Sequence, residues 1–382
     1  MERCTRCILP SNYPGITFNE KGVCHYCTGH KKRTYLGEEA LVRDIKAFLK
    51  TKKDRNKKYD CIVGASGGRD SNFLLYTLVK KLNLNVLAFS SDNGIFIPDQ
   101  ANENMKKAAE ILDIKLVIKK NDLLEKCAKH TVSSWMRRPS LEMVETFCSG
   151  CRHPIVKGTI DFAKQERVPV IVRGATPFEL TQYKFNLMKI KRRPEYKTLM
   201  MKTNPKASNN PLIFGYLSNV VHNPKWLMNL NYLTTQFKDY YYFFNEHKIM
   251  ERTGLTKIRP FFTHMRWVEK DVVSTIKKEL EWKKHSDSGS TWRGDCDIAF
   301  LKLYVYQNTL GFNDKIDSLS HLIRDKQITR SEALKRYEKE TTIPDDAMEE
   351  IFQRLGLKFS DFQNAVNKLQ KKIGAAKGNT YS

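Results

Sequence analysis

Two groups of residues in this chain of 382 have the types and spacing to do chemistry. The first is Ser66-Gly67-Gly68-Arg69-Asp70-Ser71. An apolar run, Tyr59 to Ala65, leads into it, and an amphipathic segment, Asn72 to Lys81, follows. Strand, glycine turn and helix start make a phosphate-binding geometry. The glycines allow positive φ and close approach of the backbone to an anion. The helix start offers unpaired N–H groups and the positive end of its dipole. Ser66 and Ser71 add hydroxyl donors. The spacing is neither that of a Walker loop nor G-x-G-x-x-G.

The second group is cysteine. Cys4-x2-Cys7 and Cys24-x2-Cys27 are separated by sixteen residues. That is the four-thiolate zinc pattern, structural rather than catalytic because four thiolates leave no open position. Such an ion closes a small ribbon that has too little core to hold itself. Gly15 and Gly22 suit its turns, and His25 and His30 read as surface histidines. Cys148-x2-Cys151 and the distant Cys296 form a further set. Three thiolates can hold three irons of a 4Fe–4S cluster and leave the fourth open. A second zinc site, or two unligated thiols, fits the same residues. Cys61 reads as core packing, and Cys127 as a helix-face residue.

The elements that position these groups alternate. Gly37 to Lys50 has the apolar spacing of a helix, with Leu41, Ile45 and Leu49 on one face. Asp60–Ala65, Asn85–Ser90, Leu116–Ile118 and Pro169–Val172 read as strands. Ser71–Lys81, Ala101–Asp113, Leu123–Trp135 and Cys151–Gln165 read as the helices between them. This alternation predicts an α/β, doubly wound parallel sheet. Ser91-Asp92-Asn93-Gly94 and Arg173-Gly174-Ala175-Thr176-Pro177 then fall at its carboxyl edge, where such sheets bind ligands. From 186 to 256 the composition shifts to lysine, asparagine and aromatics, including Tyr240 to Phe244, and reads as an insertion. Ile258-Arg259-Pro260 returns to the core ahead of a helix, Val268–Trp282. The chain from Phe300 onward reads as helical, with a frayed tail from Gly374. The expected divisions are a ribbon (1–35), a nucleotide-binding core (36–185), the insertion (186–256), the end of the core (257–300) and a helical C-terminal region (301–382).

Sixty-six Lys and Arg against 42 Asp and Glu give a formal charge of +24, which favours polyanionic partners. The clusters are Lys31 to Arg33, Lys52 to Lys58 and Lys189 to Arg193. No apolar run reaches the ~18 to 20 residues of a membrane span. No signal-peptide core precedes the first cysteines, and the chain reads as cytoplasmic. Nine cysteines in that setting argue for metal or redox chemistry over disulfides.

Ser-Gly-Gly-x-Asp-Ser after a strand resembles the PP-loop of the ATP pyrophosphatase superfamily, with its adenine nucleotide alpha hydrolase-like fold. The resemblance implies ATP cleaved between its α- and β-phosphates and AMP passed to a substrate oxygen. It implies that Ser66, Gly67, Gly68, Asp70 and Ser71 hold the pyrophosphate with Mg²⁺. Asp92 would border the adenosine and Gly174 the nucleotide, and Arg69 or Arg173 would neutralise phosphate charge. Arg69 stands at the motif's variable position, so a surface role is the alternative for it.

Three stretches also resemble the N-acetyl sugar amidotransferase family. They are Cys4-Thr5-Arg6-Cys7-Ile8-Leu9-Pro10 through Cys27, the glycine loop itself, and Ser318 to Leu334. The family implies amidination of an acetamido group on a surface-polysaccharide sugar or sugar nucleotide. A separate glutaminase would supply the ammonia, since this chain shows neither an N-terminal nucleophile (residue 2 is Glu2) nor a nucleophile-elbow cysteine. The set Cys148, Cys151 and Cys296 resembles instead the iron–sulfur tRNA thiolases of the same superfamily, with tRNA as the partner. A zinc adaptor that only binds nucleic acid would leave the glycine loop unused.

Overall fold

The computed structural model describes residues 2–92, 94–120, 123–141, 143–187, 237–238, 241–242, 245–246, 248–285, 289–292, 295–343 and 345–378. Five short strands form one sheet: β1 (Cys61–Gly64), β2 (Val86–Asp92), β3 (Leu116–Lys120), β4 (Val170–Val172) and β5 (Thr256–Ile258). Their order is β3-β2-β1-β4-β5 and every pairing is parallel. The chain therefore winds from β1 to one edge, then returns to lay β4 on the other side of β1. The crevice where that reversal occurs lies at the carboxyl ends of β1 and β4, the place where open α/β sheets take ligands.

Strands β1, β4 and the Val86–Phe89 part of β2 are apolar and buried because both faces of the sheet are covered there, as parallel sheets require, whereas edge strand β3 is exposed from Ile118 to Lys120. Cys61, Val63, Ala88, Val172 and Ile258 pack on one face with Phe73, Leu74, Val272 and Ile276 of helices Arg69–Tyr76 and Glu269–Leu280. Ile62, Leu87, Phe89 and Ile171 pack on the other with Val156, Ile160 and Ala163 of helix Ser149–Gln165 and with Met250 and Leu255. The doubly wound sheet expected from the sequence is the observed fold, and the N-terminal cysteine cluster and the helical C-terminal region are in place around it.

Boundaries differ in informative ways. The helix after the glycine loop begins at Arg69, runs as α-helix to Tyr76 and continues as one π-helical turn, Thr77–Lys81. Strand β2 extends two residues past Ser90, since Ser91 and Asp92 pair with Lys119 and Lys120. Strand β5 starts at Thr256, inside the span read as an insertion, and Met250 and Leu255 already belong to the core. The last helix, Phe359–Gly378, carries through Gly374, where a frayed tail was expected. Phe362, Val366 and Leu369 bury one face of that helix and hold it. Lys189–Arg193 and the side chain of Cys127 lie outside the described residues, as do Tyr240, Phe243 and Phe244 of the aromatic run.

Helices Ile298–Leu310, Asp314–Arg324, Arg330–Glu340, Asp345–Leu355 and Phe359–Gly378 form the C-terminal region. Side-chain caps start two of them. Asn313 accepts from the Lys315 N–H at 3.0 Å, and Thr329 from the Glu332 N–H at 3.1 Å. No helix among the described residues is long and apolar enough to cross a membrane.

Candidate nucleotide and metal sites

The glycine loop leaves the carboxyl end of β1 at the switch crevice. Gly67 takes φ +73°, and a β-carbon there would stand 1.9 Å from the Ala101 carbonyl oxygen, so glycine is required twice over. Its carbonyl accepts from Trp282 Nε1 at 3.0 Å and Asn104 Nδ2 at 3.4 Å. Ser71 Oγ donates to the Gly68 carbonyl at 3.0 Å and accepts from the Ser66 N–H at 3.3 Å. The Ser66 and Ser71 hydroxyls stand 3.2 Å apart. The first bond of the helix runs from the Asn72 N–H to the Gly68 carbonyl, leaving the N–H groups of Arg69, Asp70 and Ser71 ahead of it. Gly174, directly after β4, meets this helix start: an added β-carbon would lie 2.7 Å from the Asp70 carbonyl oxygen. The structure thus brings Ser66, Gly67, Gly68, Asp70, Ser71 and Gly174 together.

Arg69 is interior, 3% exposed, so a surface role is ruled out for it. Its guanidinium packs against the rings of Trp292, 4.0 Å away, and Trp267, 4.6 Å away, which themselves touch with centroids 5.5 Å apart. It donates to Asp70 at 3.0 and 3.3 Å, to Glu269 at 3.3 Å and to Thr291 at 3.1 Å. Asp70 also accepts from Trp267 Nε1 at 2.9 Å. Glu269 accepts from Trp292 Nε1 at 2.7 Å and from Arg336 at 2.7 and 3.0 Å. Burial pushes the Glu269 carboxyl up, but hydrogen bonds from Arg336 and the charges of Arg69 and Arg336 outweigh it and hold it low. This network ties the loop helix to the C-terminal helices. Sequence reasoning missed Trp267, Trp292, Glu269 and Arg336. The available signal was the recurrence of tryptophan at 267, 282 and 292, downstream of Ile258-Arg259-Pro260.

Asp92 closes β2 and accepts from the Gly94 N–H at 2.8 Å. Arg173 follows β4, its N–H bonded to the Ile258 carbonyl at 3.0 Å. Its buried Nη2 has no hydrogen-bond partner among the described residues. The Lys257–Glu246 ion pair lies beside it. Burial pushes Lys257 down to about 7 against the pull of Glu246, with Arg259 and Arg173 adding repulsion. Arg173 therefore lies beside the Lys257–Glu246 pair together with Arg259.

The N-terminal cysteines form a metal-ready set. Their four sulfurs all lie within 4.8 Å of one another and all four residues are buried. Cys7 and Cys24 sulfurs are 3.7 Å apart, close to the ~3.8 Å edge of a tetrahedron with 2.3 Å zinc–sulfur bonds. The Cys7 and Cys24 N–H groups donate to Cys4 Sγ at 3.4 and 3.2 Å, bonds that stabilise the sulfur as a thiolate. His25, half-buried, accepts from the Thr17 N–H through Nδ1 at 3.1 Å and steadies the second knuckle. His30 is half-buried too, and burial followed by the nearby Arg324 lowers its pKa. Neither is the free surface histidine expected. Among the described residues no other set of three or more ligands meets the one-ion distance, so Cys148, Cys151 and Cys296 do not make a second single-ion site. Cys148 nonetheless stands close to Cys296: burial, then Cys148, then Asp295 push the Cys296 thiol up to about 12. Cys61 is buried on β1, as expected.

The parallel order β3-β2-β1-β4-β5 is a doubly wound α/β sheet that carries the PP-loop-like stretch Ser-Gly-Gly-Arg-Asp-Ser at the end of β1. Residues 298–375 match the family model described as "LPS biosynthesis protein WbpG-like, C-terminal domain". An uncharacterised protein of Methanocaldococcus jannaschii is 28% identical over 121 residues, 31% of this chain and 43% of that protein. The chain thus spans under half the length of that relative. Three solved structures are similar to it. NMN synthetase from Francisella tularensis gives a TM-score of 0.35 at 14% identity, over 78% of this chain and 91% of that one. The U34-tRNA thiolase NcsA from Methanococcus maripaludis, with its 4Fe–4S cluster, gives 0.31 at 14% identity, over 88% and 89%. The NH3-dependent NAD synthetase from Campylobacter jejuni gives 0.27 at 12% identity, over 64% and 93%.

Proposed function

We propose that the chain is an ATP-dependent adenylating transferase that amidates an N-acetyl sugar destined for a surface polysaccharide, with ammonia supplied by a separate glutaminase. One observation carries this reading: a pyrophosphatase-type glycine loop at the sheet's switch crevice, tied through Arg69, Glu269 and Arg336 to a WbpG-like C-terminal domain.

The chemistry divides into two balanced steps. The acetamido carbonyl oxygen attacks the α-phosphorus of ATP, and the bond to the bridging oxygen breaks, releasing pyrophosphate. Ammonia then adds to the activated carbon, the carbon–oxygen bond breaks, and AMP leaves with the former carbonyl oxygen. One ammonia proton is lost to solvent or to AMP, and the amidine remains in its protonated, amidinium form. In this reading the N–H groups of Arg69, Asp70 and Ser71 seat the leaving pyrophosphate. Ser66 and Ser71 shape the loop, Asp92 and Gly174 border the nucleotide, and Arg173 adds charge at the crevice. Mg²⁺ would neutralise phosphate charge when bound with ATP. The four N-terminal cysteines would hold Zn²⁺ in a structural role.

The test is release of AMP and pyrophosphate from ATP, dependent on ammonium and an acetamido-sugar nucleotide, by the full chain. Turnover that persists in Gly67→Val would remove the loop from the mechanism. One observation favours a second reading, tRNA sulfur transfer: the proximity of Cys148 and Cys296 at the carboxyl edge. A brown protein with a broad band near ~400 nm after anaerobic purification would support a cluster. A colourless protein holding about one zinc would support the sugar enzyme.

A further inference from the structure

The superfamily resemblance has Asp70 hold the pyrophosphate with Mg²⁺, but the geometry here directs Asp70 elsewhere. Both of its oxygens are taken by Arg69, and one also by Trp267. A different carboxylate faces the loop. Asp295 lies directly over the Gly68 α-carbon: a β-carbon added there would sit 2.8 Å from Oδ2 and 3.0 Å from Cγ. Asp295 is half-buried, so solvent reaches it. Among the described residues it has no ion pair and no hydrogen bond to its side chain, whereas its neighbour Asp297 is paired with Arg354 at 2.7 Å.

An uncompensated carboxylate against an anion-binding turn is unfavourable twice. It lacks a partner among the described residues, and it repels the phosphates the turn would seat. A divalent cation removes both penalties at once by joining the carboxylate to the phosphate oxygens. Magnesium in nucleotide sites is commonly held by one or two carboxylates plus the phosphates, with water filling the remaining positions. We infer that Asp295 is the carboxylate that holds the divalent cation of the bound nucleotide above the Gly67–Gly68 turn, while Asp70 anchors the loop to Arg69 and Trp267. This rests on the adenylation reading. It adds that metal affinity is set from the segment leading into the WbpG-like domain rather than from the loop.

The experiment titrates Mn²⁺ into the full chain with α,β-methylene-ATP, read by electron paramagnetic resonance, alongside nucleotide binding without metal. In Asp295→Asn, Mn²⁺ affinity should fall by about tenfold or more, with metal-free nucleotide affinity unchanged or tighter. Asp295→Glu should recover part of the loss. Unchanged Mn²⁺ affinity in Asp295→Asn overturns the inference and leaves the adenylation reading standing. Metal-free affinity that tightens with Mn²⁺ affinity unchanged also overturns it, making Asp295 a repulsive gate. A wild-type chain that binds the nucleotide neither with nor without metal overturns the adenylation reading, and the inference falls with it.

Discussion

Arg330 Nε donates to the carbonyl oxygens of both Cys4 and Cys7, at 3.2 and 3.0 Å. One guanidinium from the WbpG-like domain thereby closes over the first cysteine knuckle. Arg3 lies over the Tyr337 ring at 5.4 Å, and Asn12 donates to the Leu310 carbonyl at 2.7 Å, extending the same seam. The metal-ready ribbon clasps the C-terminal domain. Metal loss is therefore expected to loosen a region far beyond residues 1–35. Cys24→Ser should bind no stoichiometric metal and melt well below wild type. Arg330→Ala should keep about one ion per chain and lose roughly 1 to 3 kcal/mol, the cost of leaving buried carbonyls unpaired. Elemental analysis beside thermal melting checks both. A Cys24→Ser chain that melts with wild type would mean the ribbon closes without metal.

Arg69 supports a second prediction. Its guanidinium offsets Asp70 and Glu269 in a site closed by two tryptophans. Arg69→Met leaves two carboxylates short of a partner and should cost roughly 3 to 5 kcal/mol in unfolding free energy. Arg69→Lys should recover little, because an ammonium cannot lay a planar face on two indoles and serve three acceptors at once. Urea midpoints of the three proteins decide it; a lysine variant as stable as wild type would make the charge alone sufficient.

A third prediction separates two glycines three positions apart. Gly64 ends β1 with nothing within 4 Å of an added β-carbon, whereas Gly67 meets the Ala101 backbone at 1.9 Å and holds φ +73°. Gly64→Ala should be near neutral. Gly67→Ala must displace either the loop or the start of helix Asp99–Leu112, and a destabilisation above about 2 kcal/mol is expected. It should also abolish nucleotide binding. Equal melting temperatures for the two variants would show that the loop adapts.

How far the sequence revealed this fold follows from the range of each interaction. Strands β1 to β4, the glycine turn and the paired Cys-x2-Cys knuckles are local patterns, set by neighbours within a few residues, and all could be read directly. β5 could not, because three residues paired only with β4 carry too little pattern to stand out from the span before them. The interior position of Arg69 could not either. It depends on Trp267, Glu269 and Trp292, some two hundred positions away, and no local spacing links an arginine to partners that distant. The same holds for Asp295, which stands against Gly68 although the two are far apart in sequence.

Asp317 carries the last prediction, in pH. It is 2% exposed and accepts from the Tyr13 hydroxyl at 2.8 and 3.0 Å, and Tyr13 Oη in turn accepts from the Tyr183 N–H at 2.8 Å. Burial raises its carboxyl to about 7, against the lowering effects of Tyr13 and Arg324. Between the ordinary value of about 4 and this raised one, the folded chain holds a proton that the unfolded chain has released. The unfolded state binds fewer protons there, so this group's contribution to stability is full below about 4 and falls as pH rises to about 7. Asp317→Asn keeps the shape and removes the titration. The stability of wild type relative to Asp317→Asn should therefore decline from pH 5 to pH 8 and level off above that, as read from denaturant melts at each pH. A difference that stays constant across the window would mean that Tyr13 and Arg324 keep the carboxylate charged in place.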